Sequence, residues 1–317
     1  MRRRVPVLFT SSPTRYGRRV TRSDIEFRSG TDRCRGWLYL PDGDAPKPPV
    51  VVMGHGLGAV KEMGLDAFAE RFCDAGYACL VFDYRHFGDS DGRPRQLLSI
   101  PRQLDDWAAA IAYARSIDAV DATRVVCWGS SFGGGHAMVA AARDGRVAAV
   151  IAQCPFTSGT ASVLALDPRT ALKVTARGIA DVAAAAVRRK PVMIGLVGRP
   201  HESALMTAPD AAPGYLGLVP QGYPFVNEVA ARVGLQIPFH HPGRVLAELR
   251  CPVLVCVCDD DSVAPARQTV RYARRGPTTQ LLRYPTGHFD IYVGDAFEEA
   301  VADQVDFLDR VVPLAGF

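Results

Sequence analysis

Short strand-like apolar runs, spaced so that an amphipathic stretch fits between each and the next, constrain the fold of this 317-residue chain more than any other feature. The first is Val50-Val51-Val52-Met53; others lie at Ala78–Phe82, Arg124–Trp128 and Val147–Gln153. A strand that is apolar along its whole length needs cover on both faces. Helical patterns near 64–75, 104–117 and 132–142 supply that cover. Such units connect by right-handed crossovers into a mostly parallel sheet with helices on both sides, so the expected class is α/β. Ahead of them, Asp24–Arg28 and Cys34–Leu40 alternate as two antiparallel strands do, with Ser29-Gly30-Thr31-Asp32 as the turn.

The alternation stops over residues 157–248, which are rich in Ala, Gly and Pro and contain helical pieces such as Ile179–Arg189. It resumes with a strand at Pro252–Cys258, a helix near 264–274, a strand at Thr279–Tyr284 and a terminal helix near 296–310. A structureless loop of ninety residues is improbable, so the interruption reads as an inserted, mainly helical lid. The expected organisation is a basic arm (1–23), a core made of 24–156 and 249–317, and a lid (157–248). No internal repeat is visible.

Composition matters mainly for what it excludes. No stretch approaches the ~18 to 20 apolar residues of a membrane-spanning helix, and Val5–Phe9 is too short for a signal-peptide core. A soluble, cytoplasmic protein is expected. The net charge of +4 arises because residues 1–23 carry seven arginines and no acid, which leaves the remainder at −3. A segment of that kind can touch nucleic acid or an anionic membrane, but it reads more simply as a solvated tail, and neither partner is expected. The eight cysteines show no C-x-x-C spacing, and most lie in or beside apolar strands, so they read as buried, reduced thiols.

The strongest chemical signal is Gly129-Ser130-Ser131-Phe132-Gly133, which fits G-x-S-x-G between the strand ending at Trp128 and the helix starting at Phe132. A serine on so sharp a strand-to-helix turn takes a strained backbone. Glycines flank it because side chains there would collide with neighbouring structure. A hydroxyl is a poor nucleophile at neutral pH and needs an imidazole to accept its proton and a carboxylate to orient that imidazole. Of seven histidines, only His288, in the turn Pro285-Thr286-Gly287-His288-Phe289, follows the last strand and returns to the edge of the sheet where Ser131 stands. Asp259, Asp260 and Asp261 compete as the acid. Asp261 is preferred because it lies in the loop towards the next helix. An oxyanion needs two backbone donors: Phe132, at the helix start, and Leu57, in the small-residue turn Gly54-His55-Gly56-Leu57-Gly58. That turn lacks G-x-G-x-x-G and the P-loop lysine, which argues against a nucleotide site.

Together, Gly129–Gly133, Gly54-His55-Gly56, Asp261 and His288 resemble the α/β-hydrolase superfamily in residue type and in the order Ser, Asp, His. The likeness spans about residues 24–312 and is nearest to lidded bacterial esterases and the dienelactone-hydrolase or acyl-peptidase-like group. Asp83–Ser90 also looks like the segment that shapes the site floor in many members. One departure is Cys258, where relatives often carry glycine. The resemblance implies acyl chemistry on a small molecule with no metal or organic cofactor. Ser131 at the elbow excludes the aspartate-nucleophile dehalogenases and epoxide hydrolases.

The expected function is a serine esterase or thioesterase for a small, hydrophobic substrate. The alternatives are a carbon–carbon bond hydrolase, an acyltransferase or cyclase of secondary metabolism, or a non-catalytic ligand-binding protein of the same fold. His55, Met193, Leu196 and Met206 are the candidate substrate contacts. Ile194, Val197, Leu205, Leu216, Leu218 and Phe225 add apolar lid surface, and Arg199, His201, His240 and His241 could meet a polar group. A homodimeric assembly is left open.

Overall fold

The computed structural model describes residues 20–42 and 46–314. Residues 1–19 of the basic arm lie outside that range. Residues 20–23, assigned to the arm by sequence, instead open strand β1 (Val20–Ser29), because β2 (Asp32–Pro41) is long enough to pair with all of it, from Val20 opposite Pro41 to Ser29 opposite Asp32. The parallel part begins with β3 (Val50–Gly54), α1 (Leu65–Asp74), β4 (Ala78–Phe82), α2 (Ile100–Arg115), β5 (Val125–Ser130), α3 (Phe132–Asp144) and β6 (Ala149–Gln153). Helix α2 starts four residues earlier than its apolar pattern suggests, since Pro101 is tolerated in a first turn that needs no amide donor.

The segment between β6 and the resumption of the sheet folds as α4 (Gly159–Ala165), α5 (Pro168–Ala186), β7 (Met193–Val197), β8 (Ala204–Met206), α6 (Ala211–Gly217), β9 (Glu228–Ala230) and α7 (Val233–Gln236). Asp167 caps α5 by accepting from the amides of Arg169 and Thr170. Strands β8, β7 and β9 form a small sheet of their own. The sequence did not suggest this sheet, because two of its strands are only three residues long.

The core closes with β10 (Val253–Cys258), α8 (Ala266–Ala273), β11 (Thr279–Tyr284) and α9 (Gly294–Val311). The eight-stranded sheet runs β1-β2-β4-β3-β5-β6-β10-β11, antiparallel through β2 and parallel from β4 onward. Strands β3, β4, β5, β6 and β10 are buried at every position, as strands covered on both faces must be. This α/β architecture gathers the loops after β3, β5, β10 and β11 at the carboxyl edge of the sheet, where open α/β sheets place their sites. None of the eight cysteines is in a disulfide, and seven are buried.

Candidate active site

Ser131 links β5 to α3 with φ 56° and ψ −121°, a conformation that side chains rarely adopt. The neighbouring glycines make the turn possible. A Cβ on Gly129 would lie 2.1 Å from the Gly133 carbonyl oxygen, and one on Gly133 would lie 2.3 Å from that of His55. The Ser131 amide donates to Gln153 O at 2.9 Å, and its carbonyl accepts from Phe156 at 2.8 Å, which ties the elbow to β6 and the residues beyond it.

His288 Nε2 stands 3.0 Å from Ser131 Oγ, and its Nδ1 donates to Asp261 Oδ2 at 2.6 Å. These contacts fit a ring carrying a proton on Nδ1, with Nε2 facing the serine hydroxyl. Burial alone would lower the imidazole pKa, but the adjacent Asp261 carboxylate and Cys154 together outweigh it and hold the ring well above its ordinary value. Asp261 is itself fixed in a turn, where Oδ1 accepts from the Val263 and Ala264 amides at 2.8 and 2.6 Å, leaving Oδ2 for the imidazole. The other two acids are accounted for differently. Asp259 pairs with Arg283 at 2.7 Å, and Asp260 is exposed.

Leu57 and Phe132 line the same cavity as Ser131. Phe132 is the first residue of α3, so its amide has no carbonyl acceptor within the helix. Gly56 allows the β3 loop to approach closely: a Cβ there would lie 3.0 Å from Ser131 Cβ. The loop is held from inside by His55, whose Nδ1 accepts the Gly56 amide at 2.7 Å while Nε2–H donates to Met63 O at 2.8 Å. Burial pushes the His55 pKa down to about 4, so the ring is neutral. Tyr215 of α6 holds the loop from outside by donating to Leu57 O at 2.8 Å. Sequence reasoning missed Tyr215, because one aromatic among several in the segment between β6 and β10 carries no local sign of its target.

A cavity of about 340 Å³ opens from Ser131 and is walled mainly by the segment beyond β6, including Phe156, Ala165, Leu166, Leu205, Met206, Pro209 and Ile237; Val263 and Ala264 complete it. Most of these residues had no distinguishing signal in the sequence. A second hollow of about 10 Å³ lies between Ser131, His288, Met206, Tyr215 and Tyr292.

Of the expected substrate contacts, Met206 lines both spaces and His55 the smaller one. Leu196 and Met193 line neither. Leu196 is fully buried against Gly58, where an added Cβ would lie 2.3 Å from its side chain, and Met193 pairs with Ala230 in the small sheet. His201 pairs with Asp167 at 3.0 Å at the cavity wall, and His240 stacks behind Phe156 at 6.0 Å. His241 approaches Ser158 Oγ at 3.4 Å, and the Arg199 amide donates to Glu202.

The Asp83–Ser90 segment supplies no residue to either cavity wall. It buttresses the β3 loop instead: Lys61 Nζ lies 2.9 Å from Asp83, 2.7 Å from Asp89 and 2.6 Å from Glu62. Those three carboxylates could group around a cation, but the buried ammonium already fills that role. Burial opposes its charge, yet Asp83 and its neighbours hold the Lys61 pKa above its usual value.

The sequence profile described as "alpha/beta hydrolase fold" matches residues 49–190. Across 291 residues the chain is 53% identical to the quorum-quenching protein AidA of Acinetobacter baumannii, covering 92% of this chain and 95% of that one. The chain belongs to the α/β-hydrolase family. This α/β-hydrolase is also 26% identical to the thiohydrolase aneE of Aspergillus aculeatus over 94% of this chain and 96% of the relative. Among solved structures, it resembles the alpha/beta hydrolase GrgF from Penicillium sp. sh18 with a TM-score of 0.78 and 26% identity, covering 92% and 98% of the two chains. No helix among the described residues of the hydrolase is long and apolar enough to cross a membrane.

Proposed function

We propose that the protein is a serine hydrolase that cleaves carboxylic ester or thioester bonds of a small molecule with an apolar acyl group. The observation that carries this reading is the alignment of Asp261, His288 and Ser131 at 2.6 and 3.0 Å, with Ser131 lining a largely apolar cavity. In this reading, Ser131 Oγ attacks the acyl carbonyl while His288 Nε2 accepts its proton, and Asp261 stabilises the imidazolium. The Leu57 and Phe132 amides receive the developing oxyanion, each donor worth about 3 kcal/mol in comparable sites. Collapse of the tetrahedral adduct expels the alcohol or thiol, which takes the proton from Nε2, and leaves Ser131 acylated. Water, deprotonated by the same nitrogen, then releases the acid. The 10 Å³ hollow beside Ser131 and His288 is on the scale of a single water, which supports hydrolysis as the second step.

The larger cavity, at about 340 Å³, lies in the range of small-molecule sites, and its apolar wall supports a hydrophobic acyl group. Likeness to a thiohydrolase supports thioesters as substrates, and likeness to a quorum-quenching protein adds small signal molecules to those worth trying. The test pairs fluorophosphonate labelling with turnover of p-nitrophenyl esters of graded chain length, thioesters and lactones. The expected result is one covalent adduct on Ser131 and turnover that Ser131→Ala abolishes without unfolding the chain. Labelling that persists in Ser131→Ala would refute the assignment.

A further inference from the structure

We propose that Tyr292 is a positioning residue that clamps the three loops of the active site into one unit, an inference that rests on the proposed roles of Ser131 and His288. Tyr292 ends a single 3-10 turn, Asp290–Tyr292, four residues after His288, and it is buried. Its hydroxyl donates to Ser130 Oγ at 2.5 Å, reaching the residue that precedes the nucleophile. Its ring lies nearly parallel to that of His55, with centroids 5.8 Å apart and planes 13° apart. His55 in turn holds the Gly56 amide beside Ser131. One side chain therefore touches the nucleophile turn and the oxyanion loop while standing on the histidine loop.

The polar contacts close into a ring. Ser130 Oγ accepts from Tyr292 and from Gln153 Nε2, at 2.5 and 3.3 Å, which directs its own proton to Cys154 Sγ at 3.4 Å. The Cys154 thiol donates to the His288 carbonyl at 3.9 Å. The chain of donors thus starts four residues beyond His288 and ends on the backbone of His288 itself, having passed through the nucleophile turn. Burial keeps the Tyr292 phenol protonated, so the first donor in the chain persists at any working pH. All of these groups are buried, so water does not compete for the contacts.

A positioning role makes a specific demand on kinetics. Reaction depends steeply on alignment of the attacking oxygen and its base, so a small relaxation lowers kcat and leaves substrate affinity almost untouched. Tyr292→Phe keeps the ring on His55 and deletes only the donor. We expect kcat to fall about 10-fold, KM to stay within about 2-fold, and the rate of fluorophosphonate inactivation to fall by the same factor as kcat. Ser130→Ala removes the acceptor of the same bond and should give a loss of similar size. The double variant should be no slower than the worse single one, because both changes break one chain.

Wild-type kcat and inactivation rate in folded Tyr292→Phe, or a lowered unfolding midpoint with kcat unchanged, would overturn the clamp. So would losses that multiply in the double variant. If Tyr292→Phe does not fold, Ser130→Ala decides by the same kinetic split. Ser131→Ala run alongside separates the two readings: turnover surviving there removes the serine-hydrolase basis altogether, whereas turnover lost there and unchanged in Tyr292→Phe overturns the clamp alone.

Discussion

The carboxyl edge of the sheet and the segment above it are built differently. In the sheet, strands β3 to β6 and β10 are buried at every residue, and the candidate catalytic groups stand on short turns at their ends or just beyond β11. Between β6 and β10 the chain exposes large apolar side chains instead: Leu164, Leu172, Ile179, Val187 and Phe239 are each more than half exposed. Among the described residues, Val293 is the one exposed large apolar side chain outside that segment. Yet this looser region provides most of the walls of the 340 Å³ cavity. Under the proposed mechanism, the contrast gives bond-making to the buried edge of the sheet and the shape of the substrate to the more exposed segment above it.

The sharpest test of that division is on the buried side. Asp261→Asn should keep the fold and lower kcat by roughly 10³ to 10⁴, with little change in KM, because the imidazole loses the charge that stabilises it and the acceptor that sets its tautomer. A loss below 10-fold would mean that Asp261 does not serve the imidazole.

On the looser side, Leu166→Trp should fill part of the cavity. It is expected to cut kcat/KM for long-chain esters by about 10- to 100-fold and leave acetyl esters nearly unaffected. An equal loss across chain lengths would show that the two regions are not separable in the way proposed.

The pH profile adds a third comparison. In the proposed mechanism His288 must be neutral to accept the serine proton, and its pKa is raised against burial by Asp261 and Cys154, so kcat/KM should rise with pH through an apparent pKa above 6.5. Any residual activity of Asp261→Asn should rise at lower pH than the wild type. A wild-type rise centred well below 6.5 would contradict the assignment.

The smallest effect is expected where the regions touch. Tyr215→Phe removes one hydrogen bond between α6 and the loop after β3, so unfolding experiments should show a loss of about 1 kcal/mol. Initial rates should fall only a few-fold. No change in either would mean that the loop is held from the core side alone.

Much of the buried edge was legible in advance. Ala78–Phe82 and Thr279–Tyr284 occupy the strands that their patterns indicated, and the Gly129–Gly133 turn falls where apolar alternation gives way to helix. These features depend on period and backbone sterics, which neighbouring residues determine. The segment between β6 and β10 was less legible. Helix α5 begins at Pro168, not near Ile179, because its start is set by the Asp167 cap and its stripe is only partly buried. Leu196 looked like a substrate contact from its position in an apolar lid run, yet it packs on Gly58.

The sequence by itself determined the alternating α/β plan, the strained serine turn and the order in which the three candidate catalytic residues occur, since all of these follow from short-range pattern. Tertiary structure decided which of three consecutive aspartates faces His288, which side chains wall the cavity, and that Tyr215 and Tyr292 brace the loops. Those outcomes depend on groups distant along the chain meeting at hydrogen-bond distance, and local periodicity holds no information about what lies across the fold.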